Sequence, residues 1–512
     1  MKYILLTLAT AAWTFAADLP ASVCDVTAHG AKGDGVVLDT SAIQKAIDAC
    51  SAGGGGAVWF PNGNYLSGTI VLKSNITLHL SPGATLWGSK KIEDYKPLHL
   101  IYAKDAENIA LEGGGTINGN GLSYFDTNSQ FSPEQWFLFK YNSKERPSPM
   151  VELVTCHNVR IQDLTFLNSP GWTIHPLGSD GVKIHAVSIV NHRQGPSTDG
   201  IDVDSSRNVQ ISDCYIEAGD DCIVIKTTGR LGGKTMPSEN ITVTNCVLGS
   251  TWNNIKLGTE SLGDFKNIAV SNCVMFRIAG SLRPPMGGLS IEMVDGSTLD
   301  GLVASNLTMR EVSAPIFIRL GNRGRGMQTP VPGTLQNVSI SNVVATGAIH
   351  TSSITGLPGH PVRFVSFDNI NIAMKGGDKE KRGLDVPENA EKYPEATMFG
   401  TLPAYGFYVR HVEGLTMRNV HIRWEEQDAR PAAVFDDARD LDIDGFRLEG
   451  VTAQPALWFN NVVGALVSNS QAHLGVKAAL RITGAESKSI RLGFSDLTTD
   501  LGAGAPKSAL MR

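Results

Sequence analysis

The 512-residue sequence has little of three things: excess basic charge, closely spaced cysteines and long apolar runs. It contains 44 Lys and Arg against 50 Asp and Glu, so it has no overall basic field and we expect no nucleic-acid partner. The seven cysteines include no CxxC pair, which argues against a zinc site, and we expect no metal. After the first residues, no apolar stretch is long enough to predict a membrane anchor.

The N-terminus is the exception to this pattern. Lys2 is followed by an apolar run from Ile4 to Phe15 and by the small residues Ala16 and Ala17. This order is typical of a secretory signal peptide. We therefore expect residues 1–17 to be a signal peptide and the protein to be secreted or periplasmic. The mature chain, residues 18–512, is expected to be a monomer.

A short phrase recurs along the chain, in which a turn residue precedes an apolar, a variable and an apolar residue. The phrase begins at Asn75, Asn108, Asn158, Gly181, Asn208, Asn240, Asn267 and Asn337. Each phrase alternates like a strand, and almost no helical pattern intervenes to make the crossovers of an α/β sheet. We therefore predict an all-β fold, a single-stranded parallel β-helix over residues 18–512 whose coils stack about 4.8 Å apart.

One segment near the N-terminus has a helical pattern instead. Asp39 or Thr40 is a suitable N-cap, and Ile43 and Ile47 share one helix face. The glycine run 53–56 should end the helix. We expect this short helix to cap the open end of the solenoid, whose strand edges would otherwise pair with other chains.

Acidic residues are densest in two phrases, 197–206 and 219–223. Asp199 and Asp220 lie 21 residues apart, close to one coil, so Asp199, Asp220 and Asp221 should gather on one external face. Carboxylates this close repel, so at least one should keep its proton near neutral pH while its neighbours stay ionised. Glycoside hydrolysis needs that division between a proton donor and a carboxylate that activates water.

The phrases TDGID and GDDCI, with the repeats around them, resemble glycoside hydrolase family 28, the polygalacturonases and their relatives. The resemblance implies a right-handed parallel β-helix that hydrolyses pectic polysaccharide without a metal or organic cofactor. It implies an inverting mechanism in which Asp220 donates the proton, while Asp199 and Asp221 position and deprotonate the attacking water. The carboxylates on the two sides of the bond are then expected to lie about 6.5 to 9.5 Å apart.

The resemblance also suggests disulfides. A bridge between the cysteine after the aspartate pair and one in the next coil is similar to family members, which suggests Cys222 with Cys246. A second bridge between Cys24 and Cys50 would hold the capping helix in place. An odd number of cysteines leaves at least one residue unpaired.

The sequence departs from the family where polygalacturonases carry basic residues after the aspartate pair. Asn253 or its neighbour stands where the family has a histidine, and the later basic phrase is replaced by one that ends in Glu292. Lys256 is a candidate replacement for the lost cation, with Glu260 holding it in place, although an outward solvated lysine is an equal alternative. Rhamnogalacturonan or another uronate-containing pectic chain is therefore an alternative substrate.

Three further residues are candidates for substrate binding. Trp172 and His175 lie one coil before Asp199 and could line the cleft, with Trp172 as a platform for a sugar ring, though a core tryptophan is as plausible. Lys226 follows the aspartate pair and could add positive potential. The aromatic segment 124–149 resembles a long insertion that could form a wall of the cleft.

Two other functions stay open at this stage. A pectate lyase on a similar solenoid would eliminate rather than hydrolyse, and the aspartate cluster would then hold Ca²⁺. A non-catalytic β-helix would bind glycan without cutting it. The match of both aspartate phrases to the hydrolases favours hydrolysis.

Overall fold

The predicted parallel β-helix is confirmed by a computed structural model. The structure describes residues 22–130, 138–143, 145–229, 231–232, 235–448, 455–472 and 479–511. Forty strands form one continuous parallel arrangement from Val23 to Met511. The predicted signal peptide lies outside the described residues. Among the helices of the described ranges, none has the length and apolarity that a membrane crossing requires.

Each coil contributes strands to three ladders, which we call first, second and third in the order in which the chain meets them within a coil. The first ladder comprises Val23–Asp25, Gly56–Phe60, Ile76–Leu80, Glu107–Glu112, His157–Gln162, Asp180–His185, Arg207–Ser212, Ser238–Thr244, Val463–Ser468, Lys488–Leu492 and Leu510–Met511. The second comprises Asp34–Leu38, Gly63–Ser67, Ala84–Gly88, Thr116–Asn118, Thr165–Leu167, Ser188–Val190, Tyr215–Glu217, Val247–Ser250, Arg447–Leu448 and Gln471–Ala472.

The third ladder comprises Ile70–Val71, Ile101–Lys104, Val151–Val154, Ile174–Leu177, Ile201–Asp204, Ile223–Thr227, Asn253–Ser261, Gly287–Met293, Ala314–Leu320, Ser352–Thr355, Pro455–Asn460, Ala479–Thr483 and Thr498–Leu501. Six long strands bend through two or three ladders: Phe265–Arg277, Thr298–Arg310, Thr334–Ala348, Val362–Gly376, Phe407–Glu426 and Ala433–Asp444. The turn between the second and third ladders carries the three aspartates.

The inward side chains of the ladders form the core. In the third ladder, Ile174, Ile201, Ile223, Ile255 and Leu289 stack in register over five coils, and all five are fully buried. Each such column removes apolar surface from water, which stabilises the fold by roughly 25 cal/mol per Å² buried. Successive coils are therefore locked in register by the same apolar positions that make the repeat visible in the sequence.

The turn asparagines of the repeat have a structural role. Asn75, Asn108, Asn158, Asn208 and Asn240 all have positive φ values, which asparagine tolerates better than most residues. Their side-chain amides also bond from coil to coil, for example from Asn108 to Asn75 at 2.9 Å. The recurring asparagine is thus explained by backbone conformation and by side-chain stacking.

The predicted capping helix forms over Thr40–Ala52 and ends at Gly53. Its buried face, which includes Ile43 and Ile47, packs against the first strands of the solenoid. Asp39 occupies the N-cap position, but its carboxylate accepts hydrogen bonds from the backbone of the preceding loop instead of from the helix. The helix therefore covers the N-terminal end, as expected, without a side-chain cap.

All seven cysteines are free thiols, so neither predicted disulfide is present. Cys246 lies just before the second ladder, stacked between Cys214 and Cys273 of the adjacent coils, and interacts with both. Cys222 instead lies in the turn before the third ladder, where its thiol donates to the carbonyl of Gly249 at 3.0 Å. The pairing of Cys222 with Cys246 was therefore wrong, because the two belong to different columns. Cys24 and Cys50 are neighbours that interact as thiols.

Two insertions cover the outer face of the third ladder near the aspartates. The first contains the 3₁₀ turn Gly121–Tyr124 and an antiparallel hairpin of Phe125–Gln130 and Phe139–Tyr141. The second spans residues 377–406, which contain no strand, and packs on the solenoid through a separate apolar cluster around Phe317. A further short 3₁₀ turn is Ile92–Asp94.

Candidate active site

The three aspartates meet in the turn between the second and third ladders. One carboxylate oxygen from each of Asp199, Asp220 and Asp221 lies within 4.8 Å of the other two. The strand register aligns Asp199 with Asp221, since Ile201 pairs with Ile223 two residues later. The predicted gathering of the three aspartates on one face is thus observed, with Asp199 aligned with Asp221.

Asp221 is held from two sides. Its Oδ1 accepts hydrogen bonds from the backbone N–H and from the side-chain amide of Asn253, both at 2.9 Å. Its Oδ2 lies 3.2 Å from the ammonium of Lys256. Asn253 is itself oriented by Ser290, whose hydroxyl donates to its amide oxygen at 2.7 Å. This network fixes the Asp221 carboxylate in one orientation.

Asp220 and Asp199 have fewer partners. The Oδ2 of Asp220 accepts a hydrogen bond from the backbone N–H of Ser197 at 3.2 Å. Oδ1 of Asp199 is buried and has no hydrogen-bond partner among the described residues. An unsatisfied buried oxygen is costly. It is therefore a suitable position for a water molecule or a substrate hydroxyl.

Burial and mutual repulsion raise the pKa of two of the aspartates. For Asp220, burial and then the charge of Asp221 raise the pKa to about 7, although Lys256 and Arg283 oppose the shift. For Asp199, burial and the charges of Asp202 and Asp220 raise the pKa well above its usual value. Protons are therefore retained in this cluster up to near-neutral pH, as the sequence predicts.

Charged residues on the outer face of the third ladder form a buried layer beneath the aspartates. Lys226 lies 2.6 Å from Asp202, and its ammonium stands 3.7 Å above the ring centre of Trp172. Lys256 contacts Asp221 and lies 3.8 Å from Glu292. Both lysines therefore form ion pairs with carboxylates of the protein itself.

Several predicted substrate contacts are placed differently. His175 is fully buried between Glu152 and Asp204, at 2.6 and 3.4 Å, so it cannot line the cleft. Burial alone would lower its pKa, but the two carboxylates raise it to about 9. Asn253 is only 1% exposed and positions Asp221, so the prediction that it contacts substrate was wrong.

The predicted partner of Lys256 was also wrong. Glu260 pairs with Arg325 at 2.6 Å, so it does not hold Lys256 by a direct contact. Lys256 is 5% exposed, which excludes the outward solvated lysine. Lys256 instead contacts Asp221 and Glu292 of the adjacent coils. One face of the Trp172 ring is in contact with the ammonium of Lys226.

Other residues around the aspartates carry no motif and were missed. Arg283 comes from the loop before Gly287–Met293, and its guanidinium stacks 4.1 Å from the ring centre of Trp252. Its charge acts on Asp220 and Asp221, and burial lowers its pKa to about 10. An arginine in a loop gives no periodic signal, so only the packing reveals it.

The two insertions complete the site. The hydroxyl of Tyr141, from the hairpin, lies 2.9 Å from that of Ser197, next to Asp220. Tyr393, from the 377–406 segment, accepts a hydrogen bond from Lys256 at 3.3 Å. The hairpin, which precedes the aspartates in the chain, and the 377–406 segment, which follows them, therefore both reach the aspartate site. The predicted wall from the 124–149 segment is present in its described part, whereas Trp136 and Phe137 lie outside the described residues.

Comparisons with known proteins agree with this geometry. The probable polygalacturonase of Vitis vinifera is 26% identical over 384 residues, covering 69% of this chain and 74% of that protein. The exo-poly-α-D-galacturonosidase of Dickeya chrysanthemi is 26% identical, covering 69% and 67%. The exopolygalacturonase structure of Thermotoga maritima matches with a TM-score of 0.62 and 25% identity, covering 79% of this chain and 92% of that one.

The family model for glycosyl hydrolases family 28 matches residues 50–391, which include both aspartate phrases and the first part of the 377–406 segment. The match covers most of the solenoid and the complete aspartate cluster. The predicted resemblance is therefore confirmed. The chain belongs to glycosyl hydrolase family 28 and is a glycoside hydrolase.

Proposed function

We propose that the protein hydrolyses glycosidic bonds in a pectic polysaccharide with the three aspartates as its catalytic residues. The observation that carries this proposal is the cluster itself: three carboxylates within 4.8 Å, in a turn that neighbouring coils hold in register. The polygalacturonase relatives support the class of substrate. The buried lysines beneath the cluster support a site built to keep several negative charges together.

Asp220 is the proposed general acid, because its pKa of about 7 leaves it protonated and it is the least buried of the three. Its proton passes to the glycosidic oxygen as the bond to the sugar carbon breaks. Asp221, paired with Lys256, takes a proton from the attacking water. Asp199 orients that water through its unpartnered oxygen.

Arg283 is the proposed contact for a uronate carboxylate. Lys226 and Lys256 are engaged by Asp202 and Asp221, so neither can also meet a substrate carboxylate without losing that partner. The Arg283 guanidinium is stacked on Trp252 and its charge acts on Asp220 and Asp221, so it places a planar, positively charged group suited to a carboxylate beside the aspartates. This assignment replaces Lys256, the candidate from the sequence.

The function is tested by a screen for new reducing ends on polygalacturonate, rhamnogalacturonan and neutral glycans. Rhamnogalacturonan is included because Ser290 and Glu292 stand where the family has basic residues. We expect release from a pectic glycan in excess chelator, with no unsaturated product that absorbs in the ultraviolet. If a product that absorbs in the ultraviolet forms, and no longer forms when chelator is added, the protein is a calcium-dependent lyase. If a glycan binds but no reducing ends are released, the protein is a non-catalytic β-helix.

The anomeric configuration of the first product is expected to be inverted. Carboxylates about 5 to 5.5 Å apart are typical of retaining enzymes, in which one carboxylate attacks the sugar. Here a third carboxylate is present, so Asp199 and Asp221 can share a water that attacks the sugar carbon from the face opposite the leaving oxygen, while Asp220 protonates that oxygen. Proton NMR of the earliest reducing sugar distinguishes the outcomes, and retention would exclude this mechanism.

Activity is expected to fall as the pH rises through about 7. The pKa of Asp220 is raised in the folded protein, so its proton is present below that pH and is lost above it. Since a general acid works only when protonated, kcat/KM should fall about tenfold for each pH unit above the pKa. The measurement is the pH profile of initial rates, and a flat profile up to pH 9 would show that Asp220 is not the acid.

We further propose that the protein is exported and acts as a monomer. The composition of residues 1–17 supports export, and the capping helix supports a monomer because it covers the strand edges at one end. N-terminal sequencing of the mature protein should begin near residue 18. Size-exclusion chromatography with light scattering should give the mass of one chain.

A further inference from the structure

A second pocket lies on the outer face of the first coils, outside the aspartate site. It has a volume of about 570 Å³ and lies beside the second ladder. Its lining combines an aromatic ring, two cations and two amides, contributed by Trp87, Lys90, Lys91, Asn64 and Asn120. This combination offers a flat apolar surface and charged donors in one place.

Trp87 provides the flat surface. It lies on Ala84–Gly88, where Leu86 points into the core and Trp87 points outward between Leu66 and Asn118 of the adjacent coils. Its indole N–H donates to the side-chain oxygen of Asn64 at 3.1 Å, which fixes the ring. A fixed, partly exposed tryptophan is a suitable platform for the apolar face of a sugar.

Lys90 and Lys91 provide the charge. Both are exposed, and neither ammonium has a carboxylate within 4 Å in the described part of the chain. Asp34 also borders the pocket, but its carboxylate accepts hydrogen bonds from the backbone N–H groups of Val36 and Val37. The lining therefore keeps a net positive charge that no protein group neutralises by direct contact.

The pocket lies on the same side of the solenoid as the aspartates. Trp87 pairs with Asn118, Asn118 with Leu167, and Leu167 with Val190, whose strand leads into the turn of Asp199. The offset is three coils, or roughly 14 Å at 4.8 Å per coil. The hairpin that contains Tyr141 lies between them, so the pocket is separate from the cleft yet within reach of the same polymer chain.

We propose that this pocket is an accessory binding site for a carboxylated sugar residue of an anionic polysaccharide. The sugar ring stacks on Trp87 while its carboxylate meets Lys90 and Lys91. A polymer bound here raises the effective concentration of its remaining residues at the aspartates, which strengthens binding of long chains without contributing to catalysis. The inference rests on the proposed function for the choice of polymer.

The test is retardation of the protein in native gels that contain polygalacturonate. All proteins carry Asp220→Asn, so that the polymer is not cut. Trp87→Ala and the double variant Lys90→Gln/Lys91→Gln should each raise the apparent Kd about fivefold to tenfold, equivalent to about 1 to 1.4 kcal/mol. Trp59→Ala is the matched control, because Trp59 is also a partly exposed tryptophan with its indole N–H bonded, to Ser81 at 2.9 Å.

The proposal would be overturned if the pocket variants were retarded by polygalacturonate as strongly as Trp59→Ala. It would also be overturned if the pocket variants lost as much retardation in gels of fully esterified, uncharged pectin as in gels of polygalacturonate. In the wild-type background, the pocket variants should cleave trigalacturonate, which is too short to span both sites, at the normal rate. If no pectic glycan is cleaved by any protein, the proposed function fails, while the gel comparison still reports on the pocket.

Discussion

Replacing Asp220 with asparagine is expected to reduce kcat by about a thousandfold or more, while the protein stays folded. The amide keeps the shape of the carboxyl group and can still accept the hydrogen bond from Ser197, but it has no acidic proton to give to the leaving oxygen. The measurement is the initial rate of reducing-end release from the best pectic substrate, together with thermal unfolding of both proteins.

The matched control is Asp213→Asn. Asp213 is a half-exposed aspartate in the turn between the first and second ladders of the coil that also carries Asp220, and among the described residues its carboxylate contacts the exposed His185 and Asn245. Its replacement should leave kcat unchanged within about twofold, since exposed pairs contribute little. A variant of Asp220 that keeps a tenth of the wild-type rate would show that another group donates the proton.

Lys256→Met should lower kcat about a hundredfold or more, and to the same extent on charged and uncharged pectic substrates. The lysine pairs with Asp221 in a buried position, so methionine leaves that carboxylate without its cation, a change that typically costs about 3 to 5 kcal/mol. Asp221 would then be protonated or displaced, and the attacking water would lose its base. Rates and thermal unfolding are measured together.

Lys266→Met is the control for this variant. Lys266 pairs with Asp264 at 3.0 Å, a distance similar to that of the Lys256 pair, but its side chain is 45% exposed. Its loss should therefore change neither stability nor rate appreciably. If Lys256→Met behaves like this control, the buried pair has no part in orienting Asp221.

The Arg283→Met variant distinguishes recognition of the substrate carboxylate from the positioning of the catalytic aspartates. If Arg283 meets a uronate carboxylate, this variant should weaken cleavage of the charged substrate by about 1 to 3 kcal/mol and change cleavage of its methyl ester much less. The two assignments would be reversed if Lys256→Met lost activity only on the charged substrate while Arg283→Met lost activity equally on the charged substrate and its methyl ester. The pair of variants therefore tests which cation faces the substrate.

The errors in the site prediction share one physical cause. Lys226, Lys256 and His175 were taken as substrate contacts because each lies close in sequence to the aspartates or one coil away. Neighbouring coils place Asp202, Asp221 and Glu152 next to them, and a buried charge pairs with the nearest opposite charge. Which charges become neighbours depends on register and coil length, and both vary along the chain.

The stacked cysteines show the same difficulty in predicting strand register from the sequence. The coil between Cys214 and Cys246 is longer than that between Cys246 and Cys273, so counting residues does not tell which cysteines align. The register also aligns Asp199 with Asp221, one position beyond the 21-residue spacing between Asp199 and Asp220. In a strand, such a shift moves a side chain to the opposite face.

By itself, the sequence determined the solenoid, the capping helix and the gathering of the three aspartates. These features follow from short-range patterns: apolar alternation, turn asparagines with positive φ, and a repeat close to one coil. Only the tertiary structure decided which cations pair with the aspartates, that Arg283 and Tyr393 reach them, and that Trp87 and the lysines beside it form a second pocket. Those contacts join residues from loops and distant coils, and they depend on distances that no local pattern encodes.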